Sequence, residues 1–407
     1  MFVIRFLSSI FNFKEYRLRH LALNVLMIVY ALGALGAYLI NILQDEGERL
    51  YQKQVIALLG GALAILVISL VDYHFVAKLH VLFYLINIGL LLICRFSNSL
   101  PIYGWSHYDA RRWIKIGGDP TAGVNNPGFE FMPSEITKVA LIICLAKYFD
   151  LCYRKINKIW VLFGAIALMG IPILMIFLQP DLSTTICLAM VFAVMVFASG
   201  VPYKFIFSIA GILTPIAAGL LWYVIQPYQV ILKPWQQRRV LAAIHPEDYP
   251  ELMYQQTNAK SAIQSGGVIG KILAGDTGPR GTRYVPVKES DFIFSAVAEE
   301  FGFIGSVAVI LTYFLMIVLI IRIAKRARDY LGTMIALGIG ALFSIQVFIN
   351  IGVVTSLLPN TGIPLPFMSS GLSSLLINLM LIGVLMNISM QPKDETRRTV
   401  SNEFEGL

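Results

Sequence analysis

An acidic residue at the edge of an apolar segment is the first candidate for chemistry in this sequence. Asp291 ends a long polar stretch, and Glu299 and Glu300 follow inside the next apolar pattern. If a helix begins near Asp291, then Asp291, Ser295 and Glu299 share one face at four-residue spacing. Ionisable groups at the edge of a membrane helix are costly, which makes them functional candidates. The alternative is an ordinary helix N-terminus that Ser290 caps.

A second group of charged residues lies around the start of the fourth long apolar segment. Glu135 and Lys138 are three residues apart, so they share one helix face as an ion pair or a charged site. Upstream, Arg111 and Arg112 adjoin Trp113, and arginine meets phosphate oxygens through paired hydrogen bonds. The alternatives are a salt bridge that anchors the helix at the interface and an aromatic anchor flanked by snorkelling arginines.

Further polar positions fall in connections between apolar segments. Asp181 follows a proline between the fifth and sixth segments, where it could equally be a turn residue. A long polar connection contains Arg238 and the glycine-rich turn Ser265-Gly266-Gly267. Such turns can cradle phosphates through backbone N–H groups, although this spacing matches neither a P-loop nor GxGxxG, and a flexible hinge is the alternative.

The last polar connection, residues 358–367, contains three prolines and runs into Ser369 at the start of the tenth apolar segment. Irregular backbone at membrane depth is tolerated only where it faces protein or a water-filled cavity. The connection therefore either lines a site or forms a re-entrant structural turn.

Composition identifies the elements that must position these residues as membrane helices. The 407-residue chain is 57% hydrophobic and 14% charged, whereas soluble domains are about a quarter charged. Aromatic residues are not interleaved with basic runs, so the net charge of +8 reports membrane orientation and excludes nucleic acid as the partner. Histidine and cysteine are scattered, and no spacing demands a metal ion.

We predict an all-α polytopic integral membrane protein with ten transmembrane helices, both termini cytoplasmic, since lysine and arginine concentrate in connections on one side. A single membrane domain would span 1–390, with a large extracytoplasmic loop at 227–291 between helices 7 and 8, and a cytoplasmic tail at 391–407. The predicted helices are 21–43, 54–72, 76–95, 135–152, 159–178, 182–200, 205–226, 292–322, 331–352 and 368–390.

Taken together, these segments resemble the SEDS family (shape, elongation, division and sporulation), and they occur in the family's order. The phrase LLPNTGIPLPF at 357–367 is more similar to the RodA branch than to the FtsW branch. The chain departs from the usual family residues at Met132, Ser183, Ser370 and Leu372. The matching segments are ARRWI at 110–114, PSEITK at 133–138, QPDL at 179–182, RRVLAAIHPED at 238–248, AIQSGG at 262–267, VPVKESDFIFSAVAEEFGFIG at 285–305 and TGIPLPFMSSGLSS at 361–374.

The resemblance implies a peptidoglycan glycosyltransferase of the bacterial cytoplasmic membrane that polymerises lipid II on the extracytoplasmic face. It also implies a class B penicillin-binding protein as partner, beside lipid II and membrane lipids. Asp291 would be the catalytic general base, which burial beside apolar residues should make a better base. The predicted substrate-binding residues are Arg111, Glu135, Lys138, Asp181, Arg238, Ser265, Gly266, Gly267, Glu299 and Ser369.

Positive side chains would stabilise the departing pyrophosphate, and a divalent cation could assist, although no carboxylate cluster requires one. Two other functions stay open at this point. A lipid II flippase would need ionisable residues near mid-membrane, and few charges lie there. A non-catalytic scaffold for the penicillin-binding protein explains the helices but not the outer acids and arginines.

Overall fold

The computed structural model describes residues 16–44, 49–97, 102–107, 110–117, 129–179, 181–232 and 234–393. Within these residues the chain forms a helical bundle with one small sheet. Each of the ten predicted apolar runs coincides with helix, and the run at 76–95 is divided between two helices. These helices are α1 (Leu23–Leu43), α2 (Leu50–Leu70), α3 (Tyr73–Lys78), α4 (His80–Phe96), α5 (Pro133–Cys152), α6 (Ile159–Leu178), α7 (Leu182–Ala198), α8 (Tyr203–Ile225), α12 (Ile293–Arg326), α13 (Tyr330–Val354) and α14 (Leu372–Ser389).

Seven of the described helices are long and apolar enough to cross a membrane, namely α1, α2, α6, α8, α12, α13 and α14. The helices α4 and α7 are apolar but have only 17 residues each. Helix α5 has 20 residues but contains Glu135, Lys138, Lys147 and Asp150, which lower its hydropathy. The chain is thus a multi-pass membrane protein, while the count of ten spans and the cytoplasmic termini stay predictions. Of the predicted tail, residues 394–407 lie outside the described part of the chain.

The prediction of an all-α fold is wrong for the first long connection. Three antiparallel strands form a sheet in the order β1 (Ile102–His107), β2 (Ala110–Ile116) and β3 (Phe129–Phe131). Aromatic and β-branched residues are common in these strands, and Trp105 lies opposite Trp113 in the register. Three short strands between two helices carry little of the periodic signal on which strand prediction depends.

The connection at 227–291, predicted as a loop, is largely helical. It contains α9 (Pro234–Ile244), α10 (Pro250–Gly266) and α11 (Gly270–Leu273). Helix α10 packs along the first turns of α12, which brings this connection against the bundle. Proline stands at the first turn of α10, where its missing N–H costs nothing.

Helix α13 lies at the centre of the bundle and is buried along most of its length. It packs against α5, α7 and α12, while α14 packs along α2. Small residues allow these close contacts: a side chain at Gly338 of α13 would meet Ile142 of α5 and Met195 of α7. The elements that carry Glu135, Asp181 and Asp291 are therefore fixed around one central helix.

Candidate active site

Asp291 lies in the turn that precedes α12, not inside the helix. The helix begins at Ile293, and Phe292 occupies the N-cap position without a side-chain hydrogen bond. The Ser290 hydroxyl donates to Asp291 Oδ1 over 3.0 Å instead of capping the helix. Asp291 and Glu299 consequently do not share a helical face, and the expectation of a common stripe is not met.

One asparagine of the central helix holds this turn in place. Asn350 of α13 donates from Nδ2 to the backbone carbonyls of Asp291 and Ile363, each over 2.8 Å. Its side chain is buried, so the two bonds are shielded from competing water. Asn350 thereby joins the Asp291 turn to the connection between α13 and α14. The sequence signal was a polar residue near the end of an apolar run, and the sequence analysis missed it.

Ser369, predicted to bind substrate, supports the same turn from the other side. Its hydroxyl donates to the Ser290 carbonyl over 2.6 Å and accepts from the Leu365 backbone N–H over 2.8 Å. The next residue, Ser370, donates its backbone N–H to the carbonyl of Glu289 over 2.8 Å. The structure therefore places Ser369 behind the acid, as a residue that positions Asp291.

A glycine leaves room for the carboxylate. Gly362 has φ of +72°, a conformation that side chains rarely adopt, and a Cβ built on it would lie 3.0 Å from Asp291 Oδ2. The backbone at Gly362 thus borders the acid directly.

The environment of Asp291 makes its carboxylate a stronger base than an ordinary aspartate. Burial raises its pKa from 3.8 to about 6, and the negative charge of Glu289 acts in the same direction. The hydrogen bond from Ser290 and the positive charge of Arg112 oppose this rise. The residue nevertheless stays partly accessible. A half-buried acid with a pKa just below neutrality is ionised at pH 7 and is well suited to accept a proton.

The two neighbouring arginines have different surroundings. Arg112 Nη1 lies 4.0 Å from Asp181 Oδ1, and the Arg112 charge also acts on Asp291. Arg111, the predicted phosphate ligand, donates to the carbonyls of Ser97 over 2.5 Å and Gly104 over 3.2 Å. Arg111 thus ties the sheet to the end of α4, whereas Arg112 is the arginine near the acids.

Glu135 and Lys138 form a buried ion pair, with Lys138 Nζ 2.7 Å from Glu135 Oε1. Cys187 of α7 lies within electrostatic range of Glu135, Lys138 and Asp181, which places these three predicted residues in one neighbourhood. Asp181 caps α7 by accepting from the Thr184 N–H over 3.2 Å. The structure therefore brings together Glu135, Lys138 and Asp181, and Arg112 connects this group electrostatically to Asp291.

Several buried polar atoms around these elements have no hydrogen-bond partner among the described residues. Native proteins leave few such atoms, so a concentration of them on neighbouring elements indicates an interior suited to a polar ligand. These atoms are Ser134 Oγ, Glu135 Oε2, Asp181 Oδ2, Gln346 Oε1, Asn350 Oδ1 and Thr361 Oγ1.

Glu299, by contrast, is enclosed by donors from the 227–291 connection. Lys271 Nζ lies 2.6 Å from Glu299 Oε1, and Gly281 donates its backbone N–H to the same oxygen over 2.6 Å. Thr282 donates its hydroxyl and its backbone N–H to Oε2 over 2.6 and 2.8 Å. Ser265, another predicted substrate ligand, donates to Oε1 over 3.1 Å. Glu299 is fully buried and serves as a clamp between this connection and α12.

The glycines of this region allow backbone to meet backbone. A Cβ on Gly266 would overlap the Ala298 carbonyl, so α10 approaches α12 as closely as a glycine permits. The Gly267 carbonyl accepts from the Phe303 N–H over 2.9 Å, just after α12 is interrupted at Gly302, where φ is +66°. Gly266 and Gly267 therefore pack the connection against the kink in α12. Arg238 lies on α9 and is exposed.

Among the described residues there is no group of three or more His, Cys, Asp or Glu side chains that could hold a metal ion. Lys138 supplies a positive charge beside Glu135, and Arg112 supplies one beside Asp181.

Comparison with known proteins agrees with this architecture. A family model described as cell cycle protein, covering FtsW, RodA and SpoVE, matches residues 16–394. The probable peptidoglycan glycosyltransferase FtsW of Trichlorobacter lovleyi is 33% identical over 390 residues, covering 92% of this chain and 95% of that protein. The peptidoglycan glycosyltransferase MrdB of Escherichia coli K12 is 28% identical over 377 residues, again covering 92% and 95%.

A chain solved in a study described as structural coordination of polymerization and crosslinking by a peptidoglycan synthase complex has a TM-score of 0.72. It is 25% identical and covers 92% of this chain and 97% of its own length. Fold and site define a multi-pass helical membrane protein whose buried polar residues meet near one end of a central helix. The chain belongs to the cell cycle protein family of FtsW, RodA and SpoVE, which confirms the resemblance to the SEDS family.

Proposed function

We propose that this chain is a peptidoglycan glycosyltransferase that polymerises lipid II, with Asp291 as general base. The observation that carries the proposal is the Asp291 turn, because a basic carboxylate is held there by groups that bind its backbone and leave Oδ2 available. Its relatives named FtsW and MrdB support the reaction. The RodA-like phrase at 357–367 alone supports a role in cell elongation and shape.

In the proposed reaction, a sugar hydroxyl attacks the anomeric carbon of a second lipid-linked sugar. The new C–O bond forms as the bond to the lipid pyrophosphate breaks, and Asp291 accepts the hydroxyl proton. The pyrophosphate leaves with negative charge, which Lys138 and Arg112 would stabilise by electrostatic attraction. Glu135 would hold the Lys138 ammonium in position through their 2.7 Å contact.

We place the site on the extracytoplasmic face of the bacterial cytoplasmic membrane, with ten spans and both termini cytoplasmic. The lysines and arginines at 153–158 and 322–328 support this orientation. A class B penicillin-binding protein is the proposed partner, since a similar solved chain comes from a complex that coordinates polymerization and crosslinking.

The test is polymer formation from fluorescent lipid II by the purified chain, resolved on a gel, with and without the penicillin-binding protein. A ladder of long glycan is expected in the presence of the partner. The matched control is Lys204→Gln, because this exposed residue lies at the start of α8 and is not one of the predicted site residues. Its ladder should equal that of the wild type.

Lipid II movement across vesicles, measured in parallel, separates the proposal from a flippase. If the chain transports lipid II but forms no glycan even with the partner present, the protein is a transporter and the proposal is wrong. Absence of both activities, with the partner's transpeptidase stimulated by the chain, would favour a scaffold.

A further inference from the structure

A cavity at the end of the bundle remote from Asp291 is not used by the proposed reaction. Helix α12 begins beside Asp291, is interrupted at Gly302 and ends at Arg326, and the 24 residues after the interruption alone span about 36 Å at the usual helical rise. The cavity, of about 330 Å³, lies where the start of α1 meets the ends of α12 and α14. It therefore faces the opposite leaflet from the candidate active site.

Positive charge dominates the rim of this cavity. Arg19 precedes α1, and Arg322 and Arg326 lie one turn apart in the last turns of α12. All three side chains are exposed and make no ion pair within the part of the chain that the structure describes. His20 adds a further nitrogen donor, and none of the described residues that line the cavity is acidic.

Apolar side chains also line this cavity. Val25 of α1, Leu319 and Ile323 of α12 and Ile388 of α14 line it beside the arginines. A soluble anion would need only the charged rim, whereas a lipid needs guanidinium groups for its phosphate and apolar surface for its glycerol and first acyl carbons. Basic pockets between membrane helices bind anionic head groups in this way.

We propose that this cavity binds the phosphate head group of an anionic membrane lipid. Arg19, Arg322 and Arg326 supply charge-assisted hydrogen bonds to the phosphate oxygens. The ends of α1, α12 and α14 are thereby joined through one lipid. This site is independent of the proposed glycosyltransferase activity, and its occupancy can be measured without substrate.

The simpler explanation is that these arginines only mark the cytoplasmic side and attract anionic lipids without a defined site. A matched pair of variants separates the two. In the first, Arg19, Arg322 and Arg326 are each changed to Gln. In the second, Arg154, Lys155 and Lys325 are each changed to Gln, which removes the same charge from exposed positions that do not line the cavity.

The measurement is lipid binding to the full chain in nanodiscs of neutral phosphatidylcholine containing a small fraction of phosphatidylglycerol labelled in its head group. The first variant should lose affinity by about tenfold or more, and the second should change it less than about threefold. Equal losses in the two variants would overturn the proposal, because charge alone would then explain binding.

A third variant guards against loss of fold or altered insertion. Ala22→Phe keeps every charge and places a ring in the cavity, so it should reduce binding of the labelled lipid as well. Unaltered binding in Ala22→Phe would contradict the site. Inorganic phosphate is the final arm: if it competes with the lipid at millimolar concentration, the site binds free anions and the assignment to a lipid is wrong.

Discussion

Two acids that stand eight residues apart have opposite environments. Glu299 is fully buried and its two oxygens accept from Lys271, Gly281, Thr282 and Ser265. Asp291 is half-buried, and among the described residues its carboxylate accepts a single hydrogen bond, from the Ser290 hydroxyl. Asp291 is held instead through its backbone carbonyl, which accepts a hydrogen bond from Asn350.

The difference indicates that two acids in one segment can have different roles, one structural and one chemical. A carboxylate whose oxygens are saturated by charged and backbone donors is a strong structural contact and a poor base. A carboxylate that is desolvated but has few donors keeps basicity and space for a substrate. The clamp at Glu299 is expected to hold the 227–291 connection in place, and Asp291 is expected to act on the bound sugar.

The largest effect should come from Asp291→Asn, which preserves shape but removes basicity. General base catalysis contributes about 10²–10⁴-fold, so the rate of glycan polymerisation should fall by that factor. Because burial raises the pKa of Asp291, the neutral Asn should also make the folded protein more stable at pH 7. Glycan gels and thermal melting in detergent measure both quantities. A wild-type rate in this variant would exclude Asp291 as the general base and leave Asp181, Glu299 and Glu300 as candidates for that role.

Lys138→Met should reduce polymerisation by about a hundredfold, since it removes a positive charge available for the departing pyrophosphate. It also leaves Glu135 buried without its partner, so folding must be checked by melting. The double variant Glu135→Gln with Lys138→Met removes both charges and restores stability relative to the single variant. Recovery of activity in the double variant would show that the pair only anchors α5.

Arg112 and Arg111 provide a comparison between adjacent residues of equal charge. Arg112→Gln should lower polymerisation by about tenfold and shift the acid limb of the pH profile to higher pH, because the Arg112 charge lowers the pKa of Asp291. Arg111→Gln should lower the melting temperature instead, since it removes bonds to the carbonyls of Ser97 and Gly104. The reverse assignment of these two effects would contradict the site as described.

The smallest effect on catalysis is expected for Glu299→Gln. Loss of the buried pair with Lys271 should cost about 3 kcal/mol of stability, whereas the rate per folded molecule should stay within about twofold of the wild type. The rate is normalised to folded protein by size-exclusion chromatography and melting. A hundredfold loss of rate in a fully folded Glu299→Gln would remove the distinction between the two acids.

Much of this fold could be predicted from the sequence, because long apolar runs determine membrane helices by length alone. Hydropathy did not predict the three-stranded sheet or the helices α9 and α10, because short amphipathic elements in polar connections have weak periodicity. The spacing of Glu135 and Lys138 did predict their contact, because both lie on one helix.

The roles of individual polar residues were harder to predict, because they depend on contacts between distant segments. Ser369 and Glu299 are polar residues close in sequence to predicted site residues. Their side chains nevertheless form hydrogen bonds within the protein, to the Ser290 carbonyl and to Lys271 respectively. Arg111 and Arg112 alternate across a strand, so two adjacent arginines point to different surroundings. Asn350 supports Asp291 from 59 residues away, a relation that no local pattern reveals.

The most direct measurement of the central claim is the pH dependence of kcat/KM for polymerisation by wild type and by Asp291→Asn. A general base must be deprotonated to act, and burial raises the pKa of Asp291 to about 6. Wild-type kcat/KM should therefore fall as the pH drops through about 6, and the residual activity of Asp291→Asn should lack this limb. An identical acid limb in both proteins would contradict the assignment of Asp291 as the group that accepts the proton.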